Sequence, residues 1–213
     1  MQLFYFGLML LAAYLLGSVP ASVWIGKKFY NIDIREHGSG NPGATNTIRV
    51  LGWKAGLPVL LFDILKGWIA VKSIILSDFD LPGSDDYVIF QLMLGAAALI
   101  GHIFPVFAGF RGGKGVATLF GIVLAIDPFS TLICISIFIV TLLISRYVSL
   151  SSMIAGLSFP FVKIFIIRTD TISLVIFSIA VAGLLLITHQ KNIKRLIRGE
   201  ESKADFLRIR RQK

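Results

Sequence analysis

Apolar residues in this chain gather in long runs separated by short polar segments. Runs at 3–24, 55–76, 87–109, 150–167 and 171–188 each supply the roughly 20 residues that a helix needs to cross a bilayer core. A further run, 116–144, carries "IDPF" near its middle. It can be one long helix or a hairpin in which Asp127 caps and Pro128 occupies the first turn of a new helix.

Charge decides between them. One set of connections is basic: 25–54 (Lys27, Lys28, Arg35, Arg49, Lys54), 110–115 (Arg111, Lys114), 145–149 (Arg146), and the tail after 188 with nine Lys or Arg. The other set holds "SDFDLPGSDDY", the "DP" turn and "RTDT". Basic loops stay in the cytoplasm. Only the hairpin puts every basic segment on one side. The pattern therefore predicts an all-α integral membrane protein with seven transmembrane helices, the N-terminus outside and the C-terminus cytoplasmic. One membrane-embedded domain over 1–213 is expected, with about 189–213 as a cytoplasmic basic tail, since no internal repeat or low-complexity tract divides the chain.

Composition agrees with the membrane class: 55% of the 213 residues are hydrophobic and 15% charged, with mean hydropathy +0.81. The first run lacks a basic segment before it and is longer than the apolar part of a signal peptide, so it is read as a retained helix. The single cysteine, Cys134, sits in "TLICISIFIV", where a thiolate is costly. A thiol nucleophile or cysteine metal site is not expected. The net charge of +9 reports orientation and anionic lipid before anything else, and no nucleic-acid partner is expected.

Polar chemistry concentrates in three basic segments on the predicted cytoplasmic face. The first contains "HGSGNPGATN". Pro42 and Gly43 suit a type II turn, Gly38 and Gly40 can leave backbone N–H groups for an anion, and Thr45 can cap a short helix with Arg49 at i+4. Ser39, Asn41, Thr45 and Asn46 add donors. The plain alternative is a flexible turn and a snorkelling arginine. The second, "GFRGGKGVAT", differs from a Walker A loop in its spacing, and Gly115 follows Lys114 where that loop has Ser or Thr. Gly112, Gly113 and Gly115 still allow close approach to an anion, beside Lys114 and a helix N-terminus near Val116. The alternative here is a positive anchor between two spans. In the third, "THQKNIKRLIRGEE", His189, Asn192 and Arg195 are spaced i, i+3, i+6 along one helical face. His189 can be a general base, an orienting donor or a head-group contact. "RYVSLSS" adds hydroxyls at another basic corner, and His102 in "GHIFPVF" reads as a core histidine beside a kink at Pro105. His37, His102 and His189 lack metal-ligand spacing, so no metal is assigned.

In order and spacing, "GSGNPGATN", "GHIFPVFAGFRGGKGVAT" and "HQKNIKRL" with a following "GEE" resemble the bacterial acyl-phosphate-dependent glycerol-3-phosphate acyltransferases, the PlsY family. The likeness runs from Tyr14 to Glu200. It implies a seven-helix enzyme of the cell inner membrane, without a cofactor. Such an enzyme moves a fatty acyl group from acyl phosphate to the 1-hydroxyl of sn-glycerol 3-phosphate, giving lysophosphatidic acid and phosphate, the first acylation of phospholipid synthesis. By the same resemblance Ser39, Arg49, Lys114, His189 and Asn192 are implied as catalytic residues. Gly38, Gly40, Asn41, Thr45, Asn46, Gly112, Gly113, Gly115 and Ser152 are implied at the substrates, and a structural glutamate matches Glu200 or Glu201. The chain departs from the family pattern at Thr188, where a basic residue is expected.

The expected chemistry fits these residue types. Acyl phosphate is a mixed anhydride with a good leaving group, so no covalent intermediate is needed. Two phosphates must be held together with the acceptor hydroxyl about 3 Å from the carbonyl, which three cationic loops on one face would do. The competing class is a small-anion transporter, whose broken helices would place a site near the midplane.

Overall fold

The computed structural model describes residues 2–77 and 84–205; part of the acidic 77–87 connection and the end of the basic tail lie outside them. The described chain is helical, without strands. It forms two compact units, Met1–Pro128 and Phe129–Lys213.

The first unit holds α1 (Gln2–Gly17), α2 (Ala21–Tyr30), α3 (Ala44–Leu51), α4 (Trp53–Lys72), α5 (Asp85–Ile103) and α6 (Val116–Ile126). The expected first span, 3–24, is not one helix. Pro20 lacks the N–H that would continue α1, and α2 resumes at a bend of 41°. α5 starts where its sequence says it should: the Ser84 hydroxyl accepts from the Tyr87 N–H at 3.2 Å, and Asp85 and Asp86 fill the first turn.

Glycines set the packing of this unit. α1 lies against α5 with Gly17 on the Ala98 carbonyl and Gly101 on the Tyr14 carbonyl, and α4 lies against α6 with Gly67 on Thr118 and Gly121 on Ile64. A Cβ at any of the four would overlap backbone atoms of the facing helix. This is how helices associate when burying apolar surface from lipid brings no gain: small residues let backbones approach closely. Phe6, Ala13, Ala70, Ile74, Leu94 and Ala98 form the buried cluster where α1, α4 and α5 meet.

The second unit holds α7 (Pro128–Ser145), α8 (Val148–Phe161, continued in wider turns through Val162–Ile167), α9 (Ile172–Thr188) and α10 (Gln190–Ile197). The break expected inside 116–144 is present: α6 ends at Ile126, and Pro128 opens α7. α7 buries Ser130 and Thr131 while Phe129, Leu132, Ile139, Val140, Leu143 and Ile144 stand exposed. An apolar exterior over buried hydroxyls is the arrangement suited to lipid.

Three described stretches are long and apolar enough to cross a membrane: Asp85–Ala108, Pro128–Ser145 and Val148–Ile167. The bent pairs α1–α2 and α9–α10 bring the number to five if each is one span. Two expected spans differ. α4, over the run 55–76, carries Lys54, Asp63, Lys66 and Lys72. α6 has 11 residues, about 16 Å of helix.

Candidate active site

In the first unit the segment between α2 and α3 is folded around Asn46. Its side chain is buried, and its amide donates to the carbonyls of Ile34 (3.1 Å) and His37 (2.9 Å), while its Oδ1 accepts from the Ser39 N–H at 2.9 Å. Gly38 has φ +61°, and a Cβ there would overlap Asn46 Oδ1. Asn46 therefore builds the loop, where the sequence reading gave it to substrate.

Other expectations for this loop also change. Gly43 has φ −146°, so "NPGA" is not a type II turn; its N–H closes a three-residue turn onto the Asn41 carbonyl at 2.9 Å. Gly43 also caps α3, which puts Thr45 inside the helix instead of at its cap. The Gly40 N–H, expected to face an anion, donates to the His37 carbonyl at 3.0 Å. Arg49 sits in the last turn of α3. Asn41 lies beside Gly43, and its N–H reaches the Ser39 hydroxyl at 3.5 Å.

The second polar segment leaves α5 at Phe104, whose carbonyl accepts from the Tyr14 hydroxyl at 3.0 Å. Its glycines serve the fold first. The Gly112 N–H donates to the Ile103 carbonyl at 3.1 Å and the Gly113 N–H to the His102 carbonyl at 3.2 Å, so both are engaged by the end of α5. A Cβ on Gly112 would overlap the His102 carbonyl, and one on Gly113 the His102 ring at Nε2. Gly115, at φ +82°, caps α6, directly after Lys114.

The first two segments touch. Arg35 donates from Nη1 to the Ala108 carbonyl at 2.9 Å, and a Cβ on Gly113 would lie 3.2 Å from the Pro42 carbonyl. Arg35 is held in turn by Asp33, through Nε to Oδ1 (2.9 Å) and Nη2 to Oδ2 (2.7 Å), with Lys27 at 3.2 Å. The paired Arg35 side chain holds the Asp33 carboxyl well below the usual range, against the opposing effect of burial.

Beneath these loops lie groups that the sequence reading passed over. Asp63 and Lys66 of α4 pair at 2.8 Å with side chains 5% and 1% exposed, and Asp63 Oδ1 is 3.6 Å from His102 Nδ1. Their signal was present: an Asp and a Lys one turn apart inside an apolar run mark a functional position in a membrane helix. A small cavity is lined by these three side chains together with Pro42, Arg111, Gly112, Gly113 and residues of the 17–22 break.

The second unit holds the third segment. The helical face expected through His189, Asn192 and Arg195 is interrupted, because α9 and α10 meet at 61° and His189 stands at the corner. His189 is 2% exposed, and its Nδ1 lies 2.8 Å from the Leu185 carbonyl. A carbonyl can only accept, so Nδ1 carries a proton and donates it to Leu185. Thr188 turns its hydroxyl back onto the Leu184 carbonyl at 3.0 Å and supplies no cation.

Glu201 joins this segment to α8. Its Oε1 accepts from Asn192 Nδ2 (2.7 Å) and the Ser149 hydroxyl (2.8 Å), and its Oε2 from Arg195 Nε (2.7 Å). Burial would raise this carboxyl, but the donors from Arg195, Asn192 and Ser149 outweigh it and hold it below the ordinary glutamate range. Glu200 is exposed, so the contacts of a structural glutamate fall to Glu201. Ser152 is buried and donates to the Val148 carbonyl at 2.8 Å.

The fold and these loops define an all-helical protein with glycine-rich, cation-bearing segments at its helix breaks. The family model for glycerol-3-phosphate acyltransferase matches residues 7–199, and the chain belongs to that family. It is 48% identical over 200 residues to the glycerol-3-phosphate acyltransferase of Listeria welshimeri, covering 94% of this chain and 97% of the relative. Identity to that of Chlorobium chlorochromatii is 40%, over 92% and 96% of the two chains. A crystal structure of PlsY, an integral membrane glycerol 3-phosphate acyltransferase, in its glycerol 3-phosphate form superposes with TM-score 0.85 at 34% identity, over 98% of this chain and all of that one. The lysophosphatidic acid form of the same enzyme gives 0.80 over 93% and 95%.

Proposed function

We propose that this protein is a membrane enzyme that transfers a fatty acyl group from acyl phosphate to the 1-hydroxyl of sn-glycerol 3-phosphate. The observation that carries the reading is likeness along nearly the whole chain to an enzyme whose structures hold glycerol 3-phosphate and lysophosphatidic acid. The reaction is the acylation that opens phospholipid synthesis. Seven spans, with basic loops cytoplasmic in a cell inner membrane, complete the assignment; α4 and α6 supply the two spans that length and apolarity alone leave out. The support for this orientation is the segregation of Lys and Arg from the acidic connections.

In the reaction, the 1-hydroxyl oxygen attacks the carbonyl carbon of acyl phosphate and forms the ester bond as the bond from that carbon to the phosphate oxygen breaks. The hydroxyl proton is taken by His189, whose ring the Nδ1 contact to the Leu185 carbonyl orients, and passes on to the departing phosphate. Inorganic phosphate leaves. Arg49 and Lys114 bind the phosphates and the charge that develops on them. Ser39 contributes a hydroxyl, and Asn192 fixes the acceptor. Gly38, Gly40, Asn41, Thr45, Asn46, Gly112, Gly113, Gly115 and Ser152 shape the substrate contacts, several of them by holding the loops and not by touching ligand.

Purified protein supplied with palmitoyl phosphate and glycerol 3-phosphate is expected to form lysophosphatidic acid, with Lys114→Ala and Arg49→Ala each losing most of the rate. Absence of product, or turnover with acyl-CoA as fast as with acyl phosphate, would overturn the assignment.

A further inference from the structure

The buried ions of α4 have no obvious reason to exist as stability devices. Desolvating an ammonium and a carboxylate costs several kcal/mol per ion, and apolar side chains of the same volume often hold a fold equally well. What Asp63 and Lys66 touch suggests another use. Lys66 Nζ donates to the Val19 carbonyl at 3.2 Å, in the break between α1 and α2. Asp63, paired with it, faces His102 in the last turn of α5. His102 meets Gly113 twice, accepting its N–H at the backbone and lying against its Cα at the ring. One contact chain thus runs from the 18–20 break through α4 to the glycine loop that bears Lys114.

We propose that Asp63, Lys66 and His102 are positioning residues for acyl transfer: a charged post in the membrane-embedded region that fixes the 109–115 loop and so sets where Lys114 and Arg111 stand. The ion pair supplies rigidity that lipid-facing packing cannot, because each member has a fixed partner on a different element, Lys66 at the break after α1 and Asp63 in the last turn of α5. The 7% exposed His102 ring converts the position of α4 into the position of Gly113. The proposal rests on the reading of Lys114 given above.

The test uses the full chain in detergent with Cys134→Ser, a nitroxide on Phe110→Cys as the loop probe, and steady-state kinetics on the unlabelled protein. Asp63→Asn with Lys66→Met removes both charges together and leaves no orphan ion. It is expected to keep the helix content and melting temperature, to make the label more mobile, and to lower kcat about 10- to 100-fold. Lys66→Arg, which keeps the charge and a donor, is expected to retain most of the rate. A folded double variant with unchanged label mobility and unchanged kcat overturns the proposal. Should the double variant not fold, His102→Gln decides in the same way: a mobile label and a lowered kcat support the post, and an unchanged loop and rate refute it. The label reads the loop without turnover. A wild-type protein that makes no lysophosphatidic acid would therefore sink the enzymatic reading while leaving the post to be judged on mobility alone.

Discussion

Gly113 donates its N–H to the His102 carbonyl at 3.2 Å, and a side chain at Gly113 would run into the His102 ring. The next glycine back, Gly112, is closed off by the His102 carbonyl itself. The two positions therefore fail for different reasons. Gly113→Ala is expected to lower activity strongly, yet the double variant Gly113→Ala, His102→Ala should come close to His102→Ala alone, since the overlap goes with the ring and only the 3.2 Å approach to the Pro42 carbonyl remains. Gly112→Ala collides with backbone, so its effect should multiply with that of His102→Ala. Initial rates in a double-mutant cycle distinguish the two patterns.

Asn46 shows the same priority of fold over ligand. Its amide donates to two carbonyls and accepts from Ser39. Asn46→Asp is close to isosteric but sets a carboxylate oxygen against the carbonyls of Ile34 and His37. We expect a loss of about 1–3 kcal/mol of stability, with reduced activity, and little relief from Asn46→Ala. Thermal unfolding in detergent measures it.

Much of this was legible in the residues, for identifiable reasons. The break at Asp127 and Pro128 follows from proline's missing donor and from charge parity, and the glycine-rich segments announce themselves by composition. Less legible was what each glycine does. "GSGNPG" and "RGGKG" look like anion cradles because free N–H groups and close backbone approach leave the same sequence trace. Gly40 instead donates to a carbonyl of its own loop, and Gly112 and Gly113 donate to carbonyls in the last turn of α5. Sequence spacing also carries a helix straight through His189, because nothing local to "ITHQK" marks a 61° corner. Asp63 and Lys66 were overlooked inside an apolar run, although their charge was itself the clue.

Arg35 ties the first polar segment to the second through the Ala108 carbonyl, and it can do so only while Asp33 orients its planar fork. Arg35→Lys preserves charge but cannot bridge both groups at once. It is expected to raise the KM for glycerol 3-phosphate several-fold with a smaller change in kcat. Asp33→Asn should have the same kind of effect, and equal kinetics for Arg35→Lys and wild type would show that the strap does not matter.

The last relationship is pH-dependent. Glu201 carries a folded-state carboxyl below its unfolded value, because three donors outweigh its burial. A group shifted in this direction contributes stability that is present above the unfolded pKa and is lost as pH falls through the folded one. Glu201→Gln keeps the shape but removes the charge that Arg195 and Asn192 face. At neutral pH it should therefore melt below wild type and turn over more slowly, since Asn192 is left with a neutral acceptor and Arg195 loses its carboxylate oxygen. The gap in melting temperature should narrow as pH falls from the ordinary glutamate range through the lower pKa that the folded contacts impose, where the wild-type carboxylate itself becomes protonated. Glu200→Gln, at an exposed side chain, should track wild type throughout. A gap that stays constant down to low pH would mean that the Glu201 contacts to α8 and α10 act through shape and not through charge.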